Sequence, residues 1–202
     1  MADPTLYLIR HAQAKWQVER DTNLDSDLTS LGHVQSSALA QRMQSFFPPV
    51  TASCAALTLF TSPLRRARAT CRYLEAALAV EGLAMPGLVE APFRVADHLP
   101  VALTPFATES SRTGSADYAE FRARAQDTLK SLFAVACETG HPVVAVGHGG
   151  QIKTMLRVAT SSDGMCFEIL NTGVTILQWR EGRWFLTALS CCDHLEHEQR
   201  SR

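Results

Sequence analysis

Four side chains from distant stretches of the chain are of the types that bind and transfer phosphate: Arg10, His11, Arg66 and His148. Arginine presents a planar fork of N–H donors that matches two oxygens of a phosphate. A neutral histidine ring can attack phosphorus or exchange a proton. The 202-residue chain has a net charge of −1, which gives no general attraction to nucleic acid or an anionic membrane. An anionic ligand must therefore be bound by local cations such as these.

Each of these stretches follows a short apolar run, which predicts that the four side chains stand at strand ends. The three runs have strand length and stop abruptly at polar or glycine residues: 5–9, 57–60 and 143–146. Helical spacings predict four helices, over 31–46, from Pro63 to about Val80, over 118–137, and from near Gly150 onward. Thr29 is the predicted N-cap of the first helix, and Pro48-Pro49 its predicted end.

This alternation predicts an α/β fold, a three-layer α/β/α sandwich with a mostly parallel central sheet. Residues 174–179 and 184–189 flank a turn that contains Gly182, which predicts a C-terminal antiparallel hairpin. We expect a single domain over residues 1–202, with a long loop at 99–117. Ligands of open parallel sheets bind outside the carboxyl ends of the strands, so the four side chains should converge there.

Several longer motifs contain these side chains or lie between them. They are Arg10-His11-Ala12-Gln13, Leu28-Thr29-x-x-Gly32-x-x-Gln35, the segment 62–70, Val146-Gly147-His148-Gly149-Gly150, Asn171-x-Gly173-Val174 and His194-Leu195. Together they span residues 5–195, and in their type and order they resemble the motifs of the histidine phosphatase (phosphoglycerate mutase-like) superfamily.

The resemblance implies a phosphatase that forms a phosphohistidine on His11 and then hydrolyses it with water. Arg10, Arg66 and His148 would bind the phosphoryl oxygens, and neither a metal nor a cofactor would be needed. Gln17 stands where the family often has asparagine, which makes it a further phosphate-binding candidate. Gly149 opens a predicted helix, whose N–H groups and dipole favour an anion.

The resemblance also implies a general acid, for which two alignments remain open. Counting from Arg66 without gaps makes Glu90 the acid. The second alignment puts Val95 at the glutamate position. Because residues i and i+2 of a strand share a face, Asp97 would then reach the same pocket. We favour Asp97 over Glu90, with His98 as a third candidate.

Two further hypotheses follow from the uncertain acid. Without it the chain would act on good leaving groups, as a phosphoramidate or phosphohistidine phosphatase, or would bind phosphorylated ligands without catalysis. The family's Glu-Ser element is replaced by Ala116-Asp117, so we expect an altered pocket with 99–117 as its specificity loop. Mutase-type substrate elements are not recognisable, which favours hydrolysis of a small phosphorylated substrate.

The remaining composition indicates an ordinary globular protein, with 46% hydrophobic and 19% charged residues. The first ten residues lack the basic head and long apolar run of a secretory signal, and no stretch approaches a membrane span. The six cysteines lack Cys-x-x-Cys spacing, so we expect reduced thiols, no metal site and a cytoplasmic location. The sequence leaves the oligomeric state open.

Overall fold

A computed structural model describes residues 3–19, 25–47, 57–104 and 110–202, and these ranges contain eight strands and four α-helices. The strands are β1 (Thr5–Arg10), β2 (Thr58–Thr61), β3 (Gly82–Ala84), β4 (Val101–Ala102), β5 (Ser110–Arg112), β6 (Val143–Gly147), β7 (Val174–Arg180) and β8 (Arg183–Cys191). The helices are α1 (Ser30–Phe46), α2 (Arg65–Leu78), α3 (Ala116–Thr139) and α4 (Gly149–Thr160).

The main sheet has six strands in the order β3-β2-β6-β1-β7-β8. Strands β3, β2, β6 and β1 pair in parallel, whereas β7 and β8 pair antiparallel. The hairpin turn places Glu181 and Gly182 at φ values of 53° and 72°, the left-handed conformation of a two-residue turn that follows strand twist. The predicted mostly parallel sheet and C-terminal hairpin are confirmed.

Helices cover both faces of this sheet because side chains of β1 alternate between two cores. Leu6 and Leu8 pack with buried residues of α3 and α4, and Ile9 packs with those of α1 and α2 on the other face. All five residues of β6 are buried, as expected of a central parallel strand. The α/β/α layering follows, as the sequence predicted.

Side-chain caps define where two of these helices begin. The Thr29 hydroxyl accepts a hydrogen bond from Gly32 N, which confirms Thr29 as the N-cap of α1. The Ser115 hydroxyl likewise accepts from Tyr118 N at the start of α3. Helix α1 ends at Phe46, and Pro48-Pro49 lie outside the described residues. None of the helices in the described ranges is long and apolar enough to cross a membrane.

The segment before α3 differs from expectation. Residues 99–117 contain a short ladder of β4 and β5, and 105–109 lie outside the described part. Residues Val95–His98 form a 3-10 turn, so the strand geometry assumed for Asp97 is wrong. Val95 and Leu99 are buried together against Tyr118. Their burial winds the chain into a turn.

Candidate active site

Three neighbouring strands deliver the predicted side chains to one edge of the sheet. In the parallel register, Arg10 lies opposite Gly147, and Thr61 lies opposite Val146. Backbone bonds extend this pairing past the strand ends, since His11 N donates to Gly147 O at 2.9 Å. The carboxyl ends of β2, β6 and β1 therefore meet at a single place, as the sequence predicts for an α/β sheet.

The His11 ring is held in one orientation. Its Nδ1 lies 2.7 Å from the carbonyl of Ala12, and because a carbonyl only accepts, the ring proton belongs on Nδ1. Its Nε2 then carries the lone pair and accepts a hydrogen bond of 3.1 Å from Arg66 Nε. Asn171 Nδ2 donates to the His11 carbonyl at 2.9 Å and fixes the backbone.

Burial keeps this ring neutral. It lowers the pKa of His11 well below 6.5, and the nearby His148 ring and the charges of Arg10 and Arg66 lower the pKa further. A neutral imidazole with its Nε2 lone pair beside an arginine is a nucleophile prepared for an anionic electrophile.

His148 faces His11, with ring centroids 5.1 Å apart. It is fully buried, and its Nε2 lies 2.8 Å from the Ser62 hydroxyl, which also accepts from Leu64 N. A hydroxyl oxygen has two lone pairs and one proton, so Ser62 can donate to this Nε2 or accept from it, and both neutral tautomers of His148 fit the contact. The His148 Nδ1 has no hydrogen-bond partner within the described residues. Burial, with the charges of Arg66 and Arg10, lowers the pKa of His148 well below 6.5.

The two arginines are buried beside these rings. Arg10 Nη1 donates to the Ile169 carbonyl at 2.7 Å, but its Nε is buried and meets no acceptor in the described part of the chain. Burial lowers the pKa of Arg10 to about 10, and the Glu90 charge opposes that shift. Arg66 is 4% exposed and lies 3.7 Å from Asp25. Both guanidiniums remain charged at neutral pH.

The structure brings Glu90, and not Asp97, to this site. Both carboxylate oxygens of Glu90 accept from the first turn of α4, at 2.9 Å from Gly150 N and 3.0 Å from Gln151 N. A Cβ at Gly150 would stand 2.4 Å from Glu90 Oε1, so this approach requires glycine. Asp97 is exposed, lies outside the cavity lining and pairs with Arg94 at 3.5 Å.

Two further candidates lie away from the rings. His98 stacks on Phe93 at 4.3 Å and shares a hydrogen bond with Ser115, so it supports the start of α3. Gln17 Nε2 donates to Asn171 Oδ1 and to the Arg202 carbonyl, and its side-chain oxygen Oε1 accepts from Ala14 N. Its amide is thereby used in holding the segment after His11, and Gln17 does not line the cavity.

We call Arg10, His11, Arg66 and His148 together the clamp. A cavity of about 870 Å³ opens in front of the clamp. His11, Arg10, Arg66 and Glu90 line it, as does Gly149 at the start of α4. Its volume accommodates a small phosphorylated molecule rather than a bare phosphate.

Two residues near the site had no predicted role. Ser62 orients His148, and Trp16 lies under the Arg66 guanidinium at 5.8 Å with an indole N–H that lacks an acceptor among the described residues. Ser62 follows a strand directly, which is the signal that could have identified it. Within the described ranges no three His, Cys, Asp or Glu side chains cluster as a metal site would.

Neutral buried histidines predict how stability depends on pH. In the unfolded chain their pKa values return to about 6.5, so below that pH the unfolded state binds protons that the folded state does not. The free energy of unfolding should therefore fall as the pH drops below about 6.5, by up to about 1.4 kcal/mol per pH unit for each histidine. Burial also lowers the pKa of His194 to about 4, which adds to the trend.

Urea unfolding between about pH 7 and pH 5 measures this dependence. His194→Gln should reduce the slope by close to one histidine's share, and His33→Gln, at an exposed position, is the matched control. A free energy of unfolding that stays constant over this range would contradict neutral burial.

A family profile and several solved structures match this chain. The sequence profile of the histidine phosphatase superfamily (branch 1) matches residues 6–191 of the chain. No curated protein matches it.

Solved structures of similar fold cover nearly the whole chain. A phosphoserine phosphatase from Entamoeba histolytica, in complex with phosphoserine, is 23% identical with a TM-score of 0.67, over 96% of this chain and 100% of that one. A mycobacterial glucosyl-3-phosphoglycerate phosphatase is 21% identical with a TM-score of 0.69, over 94% and 99%. YhfR of Bacillus stearothermophilus is 22% identical with a TM-score of 0.70, over 96% and 100%. At these identities the likeness concerns the fold.

Proposed function

We propose that this chain, which belongs to the histidine phosphatase superfamily (branch 1), is a phosphomonoester hydrolase that works through a phosphohistidine on His11. The observation that carries the proposal is the His11 ring itself, with its proton on Nδ1 and its Nε2 lone pair turned to Arg66. A ring held only for structure has no need to present a lone pair to a buried guanidinium beside a cavity.

Substrate binding would use the donors that have no acceptor within the described residues. Arg10 Nε and His148 Nδ1 are both buried beside His11. Each would donate to a phosphoryl oxygen, with His148 in the tautomer whose Nε2 accepts from the Ser62 hydroxyl. Arg66 would exchange its bond to His11 Nε2 for another to the phosphoryl group, which frees the lone pair for attack. The site would thus meet developing charge with donors already in place, the largest single contribution in phosphoryl transfer.

In the first step, His11 Nε2 would attack phosphorus in line and form the N–P bond as the ester P–O bond breaks. Glu90 would enter this step in its protonated form and give that proton to the leaving oxygen, which departs as an alcohol and leaves Glu90 as a carboxylate. In the second step, water would attack phosphorus, Glu90 would take a proton from it, and the N–P bond would break to release phosphate. Two guanidiniums compensate the charge, so these steps use no metal ion.

The similar structures agree with a small phosphorylated substrate. The Entamoeba histolytica enzyme binds phosphoserine, and the mycobacterial enzyme is a glucosyl-3-phosphoglycerate phosphatase. Both compounds are phosphomonoesters, the class that we propose for this chain.

Trapping the intermediate tests the proposal. The enzyme would be mixed with a ³²P-labelled aryl phosphate, quenched in alkali because phosphohistidine is labile in acid, and mapped by peptide mass spectrometry. We expect label on His11 and release of phosphate. Turnover of phosphoramidates alone would favour a phosphoramidate or phosphohistidine phosphatase. Binding without label or turnover would favour a non-catalytic phospho-ligand module.

A further inference from the structure

One face of α4 lines the cavity and begins next to the clamp. Gly149, Lys153 and Arg157 stand four residues apart, so they share this face, and all three line the cavity. The face begins at the clamp, since a Cβ at Gly149 would lie 3.5 Å from Arg10 Nε. Each step of four residues rises about 6 Å, and helix side chains tilt back toward the N-terminus. Both cationic groups therefore lie beyond the clamp and reach back toward it.

Arg157 is buried with a donor unused. It is 2% exposed, and its Nε donates to the Met165 carbonyl at 3.1 Å. Its Nη1 is also buried but has no hydrogen-bond partner in the described part of the structure. Buried charged groups of this kind are normally paired, because leaving one without a partner is costly.

Lys153 is in a similar position. It is half-buried, and within the described ranges neither it nor Arg157 forms an ion pair. Burial lowers the pKa of Lys153, and the charges of Arg10 and Arg157 lower it further, whereas the Glu90 charge opposes the shift. Lys153 thus lies close enough to both arginines to be repelled by them.

The nearby carboxylates are already used by other groups. Asp163 accepts from the Tyr118 hydroxyl at 2.5 Å, and Glu168 pairs with Arg202 at 2.9 Å. Glu90 accepts from the backbone of α4. Lys153 and Arg157 consequently form no ion pair of their own in the described residues, although both line the cavity into which a substrate would extend.

We propose that Lys153 and Arg157 form a second anion subsite, which binds a carboxylate on the substrate beyond its phosphoryl group. This inference rests on the proposed function, because it assigns the substrate class of that same site. One free guanidinium N–H and one ammonium match the two oxygens of a carboxylate. The walls around them include Phe93 and Phe167, which suit a short carbon linker between the two anions.

A series of ω-phosphooxyalkanoates of two to six carbons, each with the matching alkanediol monophosphate, tests the subsite. The two members of a pair differ only in a carboxylate against a hydroxymethyl group. A charge-assisted hydrogen bond contributes roughly 1.5–3 kcal/mol, so we expect a preference of about 10- to 100-fold in kcat/KM for the acid at the best chain length. The favoured length reports the distance between clamp and subsite.

Variants of Lys153 and Arg157 test whether these side chains cause the preference for the acid. Lys153→Gln and Arg157→Gln should each bring the acid-to-alcohol ratio of kcat/KM to within about threefold of one. Lys130→Gln removes the same charge from an exposed position on α3 and should leave the ratio unchanged. Should Arg157→Gln fail to fold, Lys153→Gln still decides the matter, since Lys153 is only half-buried. A ratio that persists in Lys153→Gln would overturn the subsite.

Calorimetric binding of the same pairs separates the two proposals. If both members of a pair are hydrolysed equally well, the hydrolase stands and the subsite fails. If neither is hydrolysed but the acid binds more tightly, and Lys153→Gln abolishes that difference, the subsite stands and the hydrolase fails. Equal binding without hydrolysis would end both.

Discussion

Replacing His11 with alanine should lower kcat for p-nitrophenyl phosphate on the order of 10⁴-fold or more, because the variant lacks the atom that receives the phosphoryl group. The fold should persist, since the ring makes two hydrogen bonds, to the Ala12 carbonyl and to Arg66, and otherwise packs against the His148 ring. Initial rates, with far-UV circular dichroism for the fold, measure both expectations.

The affinity of the His11→Ala variant for inorganic phosphate shows whether only the nucleophile or the whole phosphate site has been lost. Arg10 and His148 remain in the alanine variant, and Arg66 is released from His11, so calorimetric affinity for inorganic phosphate should stay within about threefold. His33→Ala, at an exposed histidine on α1, is the matched control and should retain full activity. An alanine variant that keeps more than a few per cent of activity would contradict nucleophilic catalysis by His11.

The sheet and its clamp could be predicted from the sequence because each part carries a strong local signal. The run at 143–146 is uniformly apolar, as a strand buried on both faces must be, and it stops at a glycine. Once three such strands are parallel, the residues after them meet at one edge whatever the loops do. Arg10, His11 and His148 thus converge through topology, and Arg66 joins them from the first turn of α2, which follows β2.

The choice between Glu90 and Asp97 could not be made in this way, because no periodicity governs residues 85–100. Glu90 is positioned by the backbone N–H groups of Gly150 and Gln151, more than fifty residues further along the chain. Asp97 was favoured on the assumption of a strand, but burial of Val95 and Leu99 winds that segment into a turn. Long-range backbone contacts of this kind leave little trace in the sequence.

Gln17 and Lys153 also show that side-chain contacts cannot be predicted from the sequence alone. Gln17 occupies a position that suggested phosphate, yet its amide is used by Asn171 and Arg202. Lys153 was not singled out from the sequence, and the structure shows that it faces a cavity without an ion-pair partner in the described residues. The spacing of Gly149, Lys153 and Arg157 places them on one helix face, but the sequence does not tell that this face lines a cavity.

Glu90→Gln should produce a rate loss that depends on the leaving group. A positioned general acid contributes roughly 10²–10⁴-fold, and an alkoxide needs its proton far more than p-nitrophenolate does. We therefore expect kcat to fall by roughly that factor for an alkyl phosphate, but by less than about tenfold for p-nitrophenyl phosphate. A series of phosphomonoesters ordered by leaving-group pKa, assayed with both proteins, measures the difference as a steeper slope for the variant.

Glu90 also accepts two backbone hydrogen bonds at the start of α4, so a catalytic role must be distinguished from a structural one. Glutamine keeps one acceptor oxygen but cannot accept with its NH₂ group, so one N–H of α4 loses its partner, at a cost of about 0.5–2 kcal/mol that thermal unfolding would detect. A purely structural role would slow all esters by the same factor, whereas an acid slows alkyl esters selectively. Asp97→Asn, at the exposed rival carboxylate, should change neither slope nor stability. If that variant instead loses alkyl phosphatase activity while Glu90→Gln retains it, Glu90 does not supply the proton.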